Sequence, residues 1–233
     1  MIGIQSALEK EIELIREQMA DAAIQCRAGL DYVVGRIAGA EVVAVAGGVG
    51  KVRAASCAQS LVDLFHVESI IFCGVAGCLN PELKVGDVVI SQELFQHDYI
   101  ADTKTAILGK ISARFNESRV GAGENLVRLA HTACTEALGE GSCVLGTIVT
   151  GDKPVLTRKE RTKLRRKYGA ECVDMEGAAV GAVCERNSVP FVVLRAVSDS
   201  AGFLTPLEFK RNLSATSERV QQVMLRLLAL NGQ

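Results

Sequence analysis

The chain has 233 residues, with 26 Lys and Arg against 27 Asp and Glu, a formal charge of -1, and it is 48% hydrophobic but only 4% aromatic. A chain of this size buries roughly 70% of its unfolded surface, which excludes disorder as the main state and gives a core that needs no metal or disulfide staple. The near-zero charge argues against attraction of the whole chain to nucleic acid or membrane, and no run approaches the ~18 apolar residues of a spanning helix.

In chain order, hydrophobic periodicity predicts a strand at Ile2 to Gln5, a helix at Leu8 to Met19, and strands at Tyr32 to Ile37 and Val42 to Ala46. A helix at Lys51 to Phe65 follows, then strands at Ser69 to Cys73 and Asp87 to Glu93, a helix at Glu124 to Leu138 and a strand at Val144 to Thr150. Helices at Lys159 to Tyr168 and Met175 to Arg186, a strand at Phe191 to Val197 and a helix at Leu207 to Leu228 complete the pattern. Alternation of this kind, with continuous apolar strands such as Ile70 to Cys73, predicts an α/β fold whose mixed or parallel sheet is covered on both faces. With no linker, repeat or low-complexity stretch, residues 1–233 read as a single domain. The N-terminus lacks the blocks of a signal peptide, so a cytoplasmic chain is expected. The basic run Arg158 to Lys167 lacks interleaved aromatics and reads as a solvated helix face.

The eight cysteines are scattered through apolar surroundings without a CxxC pair and are expected as buried free thiols. His97 and Asp98 read as a hydrogen-bonded structural pair, since no third metal ligand accompanies them, while His66 and His131 carry no functional weight.

In sheets of this type ligands gather at the carboxyl ends of strands. Two Gly-rich segments lie there, Gly47 to Gly50 and Gly74 to Gly77, and both read as turns that admit close backbone approach. The first looks like a phosphate-binding loop, but Val52 stands where a magnesium-binding hydroxyl belongs and Val45 where the first glycine belongs, which excludes an ATPase. Glu11, Glu176 and Asp199 each follow a strand or open a helix, and together they predict an acidic site at one edge of the sheet. Asp152 reads first as a turn residue.

Ile2 to Ile4 with Glu9 and Glu11, Gly48 to Val52, Gly74 to Gly77, Asn80 to Asp87, Val173 to Ala179 and Pro190 to Asp199 occur in that order. By these segments the chain resembles the nucleoside phosphorylase superfamily and, within it, the 5'-methylthioadenosine/S-adenosylhomocysteine nucleosidases, over nearly its whole length. The resemblance implies a three-layer α/β/α fold around a twisted mixed central sheet, a homodimer with each pocket near the interface, and a small purine nucleoside as ligand. No cofactor is expected, and no metal, since no His/Cys/carboxylate ligand cluster is evident in the sequence. The resemblance also implies that Glu176 holds the ribose hydroxyls, that Met175 packs on the ribose, that Asp199 protonates the purine at N7 with Ser198 orienting it, and that Glu11 activates water beside Arg195. Val75, Ala76, Gly77 and Val155 belong to the substrate site by the same match.

Phosphate as the attacking group needs cationic donors. The loop Gly3 to Glu11 instead carries Glu9 and Glu11 and no arginine, which favours water, whereas Lys10 and Arg53 keep a phosphorylase open. Pro154 and Val155 stand where the nucleosidases carry an aromatic and an aliphatic residue against adenine. Gly202 stands where they carry an acid, and Val75 where some relatives carry a serine. The Asp152 to Val155 stretch is similar to that of divergent members, including an adenosylhopane-cleaving branch. A non-catalytic nucleoside binder is the alternative of another class, against which the cost of burying three charges speaks.

Overall fold

A computed structural model describes residues 1–99 and 119–231. Ten strands join one sheet: β1 (Ile2–Ser6), β2 (Ala20–Arg27), β3 (Leu30–Ile37), β4 (Ala40–Ala46), β5 (Ser69–Cys78), β6 (Val88–Gln96), β7 (Arg119–Gly121), β8 (Cys143–Thr150), β9 (Cys172–Asp174) and β10 (Phe191–Asp199). The described helices are α1 (Glu13–Glu17), α2 (Lys51–Phe65), α3 (Glu124–Leu138), α4 (Arg158–Tyr168), α5 (Gly177–Arg186) and α6 (Thr205–Asn231). None of them is long and apolar enough to cross a membrane.

β4, β1, β5 and β10 lie side by side and parallel, as their apolar runs predict. The expected twisted sheet goes further and closes on itself: β5 pairs with β10, β10 with β6, β6 with β8, β8 with β9, and β9 returns to β5. Alternate residues of each central strand face opposite layers. Val192, Leu194 and Ala196 of β10 join one core with α3 and α6, while Phe191, Val193 and Val197 join a second with α2 and α5. This is the three-layer arrangement.

Four expectations are corrected. The segment Leu8 to Met19 is not one helix but a 3-10 turn, Glu9–Glu11, followed by the short α1. Its first turn is drawn aside because the Glu11 carboxylate folds back onto the N–H groups of Ala7 and Leu8. The Gly74 to Gly77 segment is not a turn but part of β5, paired to β10 on one side and β9 on the other. β2, β7 and β9 are additional strands, the first exposed along most of its length and the others only three residues long. Finally, Cys134 and Cys143 are not free thiols but a disulfide joining the C-terminal half of α3 to the start of β8, with Cα atoms 6.1 Å apart, and Cys26 is exposed.

Candidate active site

The ends of β1, β4, β5, β8, β9 and β10 surround a cavity of about 160 Å³. Glu11, Glu176 and Asp199 all line it, as do Val75, Ala76, Gly77, Val155, Met175 and Ser198. Thus three acids separated by up to 188 positions in sequence share one mainly apolar chamber. Arg195, expected near the water and the Glu11 carboxylate, is 1% exposed and does not itself line the cavity.

Two glycines of β5 explain how the acids fit. Gly74 pairs with Arg195 and Gly77 with Asp199 in the β5–β10 register. A Cβ on Gly74 would stand 2.1 Å from Arg195 Nη1 and 2.7 Å from Glu11 Oε1, so only hydrogen at that position lets the guanidinium and the carboxylate approach. The register shift between Val197 and Asp199 then turns the chain end of β10 so that Asp199 faces Gly77 across the pair. Bulges beside sites commonly re-aim a side chain in this way.

Glu11 is held by its own loop. Its Oε2 accepts from the N–H groups of Ala7 at 3.1 Å and Leu8 at 2.8 Å, and its Oε1 accepts from Val75 at 2.9 Å. Burial pushes this carboxyl above its ordinary value, with Arg195 and the three N–H groups opposing. Glu176 stands at the N-cap of α5; its Oε1 accepts from Gly50 at 2.9 Å and its Oε2 from Arg195 Nη2 at 3.1 Å. Burial pushes it up to about 7, against the pull of Arg195 and with the charges of Asp174 and Glu11 adding to the rise. The Gly48 to Gly50 loop therefore serves as a donor to Glu176, which its glycines permit by positive φ at Gly48 and Gly50.

Asp174 is the main residue that sequence reasoning missed. It lines the cavity and organises the floor: Oδ2 accepts from Arg195 Nε at 2.8 Å and from the Gly177 N–H at 3.0 Å, and Oδ1 accepts from Thr150 Oγ1 at 2.5 Å. Arg195 also lies over the Phe72 ring, 4.4 Å from its centroid. One guanidinium thus faces Asp174, Glu176 and Glu11; burial raises the proton affinity of Glu11 and Glu176, and the shared positive charge only partly offsets it. The signal was present, since Asp174 and Glu176 are separated by one residue at the end of a strand.

Asp199 is 3% exposed. Its Oδ1 accepts from the Ala201 N–H and from Thr205 Oγ1, each at 3.0 Å, and its Oδ2 from Ser198 Oγ at 2.7 Å. Thr205 and Phe209 line the cavity one helical turn apart, and Phe209 brings an aromatic ring to a wall that has Pro154 where an aromatic was looked for. Thr205 escaped notice because the helix was expected to begin at Leu207 and begins at Thr205, whereas Phe209 lay inside the expected helix with nothing in its pattern to mark it.

His97 and Asp98 are not bonded to one another as expected. Asp98 accepts from Lys51 Nζ at 2.6 Å and from the Asp152 N–H at 2.8 Å, whereas His97 Nε2 is buried without a partner among the described residues. Asp152 does more than turn the chain: its Oδ1 accepts from the Lys51 N–H at 2.9 Å, at the start of α2. These bonds tie the loops after β4, β6 and β8 together at the rim.

The model of the phosphorylase superfamily matches residues 1–229. A curated relative from Marinomonas sp. (strain MWYL1), a 5'-methylthioadenosine/S-adenosylhomocysteine nucleosidase, is 34% identical over 99% of this chain and 99% of its own. The crystal structure of the nucleosidase of the same name from Colwellia psychrerythraea 34H, in complex with adenine, is similar with a TM-score of 0.89 and 33% identity over 97% of this chain and 93% of that one. Futalosine hydrolase of Helicobacter pylori strain 26695 is similar with a TM-score of 0.86 and 27% identity over 97% and 96% of the two chains.

Proposed function

This chain belongs to the phosphorylase superfamily, and from that premise we propose that it is a nucleosidase that hydrolyses the N-ribosyl bond of 5'-methylthioadenosine, S-adenosylhomocysteine or a related 5'-substituted adenosine. One observation carries the choice of water over phosphate. The N–H groups of Ala7, Leu8 and Val75 converge as an anion-binding set would, and the chain fills that set with its own Glu11 carboxylate. Phosphate would meet this fixed negative charge instead of free donors, and the Arg195 guanidinium is already committed to Asp174 and Glu176.

Cleavage places positive charge on the ribose and negative charge on the departing base. Asp199 gives its proton to purine N7 while the C1'–N9 pair of electrons leaves with the base. Glu176 accepts from the ribose hydroxyls and stabilises the cationic sugar, an interaction that strengthens as charge develops. Met175 packs on the sugar, and Val75, Ala76, Gly77 and Val155 shape the wall around the substrate. Water adds to C1' and passes its proton to Glu11, whose proton affinity burial raises. Arg195 pulls Glu176 toward its ionised form from below, against burial, and Ser198 orients the Asp199 carboxyl.

The chain acts as one domain and as a homodimer. Val52, Phe203 and Leu207, 78%, 91% and 69% exposed, lie within three positions of cavity-lining residues and are the apolar side chains that a second copy would cover. Light scattering at micromolar concentration, giving twice the chain mass, tests the assembly. Release of the free purine base from methylthioadenosine, adenosylhomocysteine, adenosine and inosine tests the substrate class. Equal rates on all of them remove the 5'-substituent from the argument, and no base release at all leaves a binding protein.

A further inference from the structure

The loop after β10 is held from a single face of α6. Thr205, Glu208 and Asn212 follow one another at spacings of three and four, which aligns them along the helix. Asn212 Nδ2 donates to Ser198 O at 2.8 Å, and Glu208 accepts from the Ser200 N–H and Oγ at 2.7 and 2.8 Å. Thr205 Oγ1 accepts from the Gly202 N–H at 2.8 Å and so has its one proton free for Asp199 Oδ1.

The two oxygens of Asp199 are therefore unlike. Oδ1 faces two groups that donate, one of them a backbone N–H that can do nothing else. Oδ2 faces Ser198 Oγ, which has a second acceptor within reach, Ala76 O at 3.2 Å, and can turn its hydrogen there when Oδ2 is protonated. We propose that Thr205 is a positioning residue for the acid step: with Ala201 it keeps Oδ1 a permanent acceptor, so that the transferable proton rides on Oδ2. The inference rests on the reading of Asp199 as the acid. As the Oδ2–H bond breaks and N7–H forms, charge spreads over both oxygens, and the Thr205 hydroxyl strengthens its bond to the carboxylate produced. None of the other α6 contacts in this array touches the carboxylate; they hold the loop.

The test compares two leaving groups. A purine needs a proton to depart, and 4-nitrophenolate does not. Thr205→Val should lower kcat on the purine nucleoside about tenfold or more, the scale of one hydrogen bond to a charged group, with KM changed less than about threefold. It should move the alkaline limb of the kcat profile to higher pH, because the bond lost favours the ionised carboxyl. A 4-nitrophenyl riboside bearing the same 5'-substituent should be cleaved at the wild-type rate, which also shows that the variant is folded. Thr205→Ser should restore purine release, and Thr205→Ala should repeat the valine result if the latter is poorly expressed. Equal slowing on both leaving groups, an unchanged kcat and alkaline limb, or no rescue by serine overturns the proposal. Asp199→Asn is measured beside them. If it still releases purine at the wild-type rate, the reading of Asp199 has failed; if it is inactive while Thr205→Val is unaffected, only the role of Thr205 has.

Discussion

Gly74→Ala is the sharpest single-atom probe of the buried charge cluster. The new methyl would stand 2.1 Å from Arg195 Nη1 and 2.7 Å from Glu11 Oε1, and neither neighbour can withdraw into solvent, being 1% and 2% exposed. If the backbone alone yielded, the cost would be that of overpacking, about 1 to 3 kcal/mol. Displacing the guanidinium instead separates it from Asp174 and Glu176, and breaking a buried pair typically costs about 3 to 5 kcal/mol. The contact is too short for the first outcome, so the second scale applies. At about 2 to 4 °C per kcal/mol for a chain of this length, three kcal/mol lowers Tm by roughly 6 to 12 °C. Calorimetry or circular dichroism reads the shift, and base release should fall by more than tenfold because Glu11 and Glu176 lose their shared counter-charge. Gly121→Ala is the control, since a Cβ there meets nothing within 4 Å, and it should change stability by less than about 0.5 kcal/mol. A Gly74→Ala protein with the Tm and activity of the wild type refutes the argument that hydrogen at this position is what lets the charges meet.

Asp199→Asn should lose ~10² to 10⁴ in kcat with an unaltered circular dichroism spectrum, the range that general acid catalysis supplies; retention of more than about a tenth of the rate speaks against its role. Glu11→Gln should lower kcat far more than it raises KM, because the base acts chiefly in the transition state, and a change confined to KM contradicts this. Glu176 is raised to about 7 in the folded chain, so the folded state binds its proton more tightly than the unfolded one. Its contribution to stability is accordingly full below the ordinary carboxylate range and lost as pH rises toward 7, with a slope of about 1.4 kcal/mol per pH unit in that window. Denaturant titrations of Glu176→Gln between pH 4.5 and 7 should show that slope removed, and an unchanged slope assigns it elsewhere. Activity should rise over the same interval as Glu176 ionises.

The central parallel strands and the helices Lys51–Phe65 and Glu124–Leu138 were legible because their periodicity extends over whole elements. Closure of the sheet was not legible, since it depends on three-residue β9 pairing to the far end of β5. The three acids could be read because each stands at a strand end, but the network beneath them could not. Arg195 and Asp174 are made partners by the register of β10 against β5 and by the start of α5, neither of which a linear pattern reports. Glycine was misjudged in one respect: Gly74 and Gly77 were read as a turn that lets the backbone approach a ligand closely, whereas they lie in a strand and their use is the missing Cβ opposite two charged residues. The Cys134–Cys143 bridge escaped for a related reason, because nine positions of sequence separation say nothing about the turn that brings the two Cα atoms together.

The identity of the attacking oxygen tests the central claim most directly. The reaction is run in oxygen-18 water, with and without millimolar inorganic phosphate, and the sugar product is weighed by mass spectrometry. With the Ala7, Leu8 and Val75 N–H groups occupied by Glu11, one labelled oxygen should appear on C1' of a free 5-substituted ribose at the same rate in both buffers. A ribose 1-phosphate product, or turnover that requires phosphate, would contradict the account and make Glu11 a structural carboxylate in a phosphorylase.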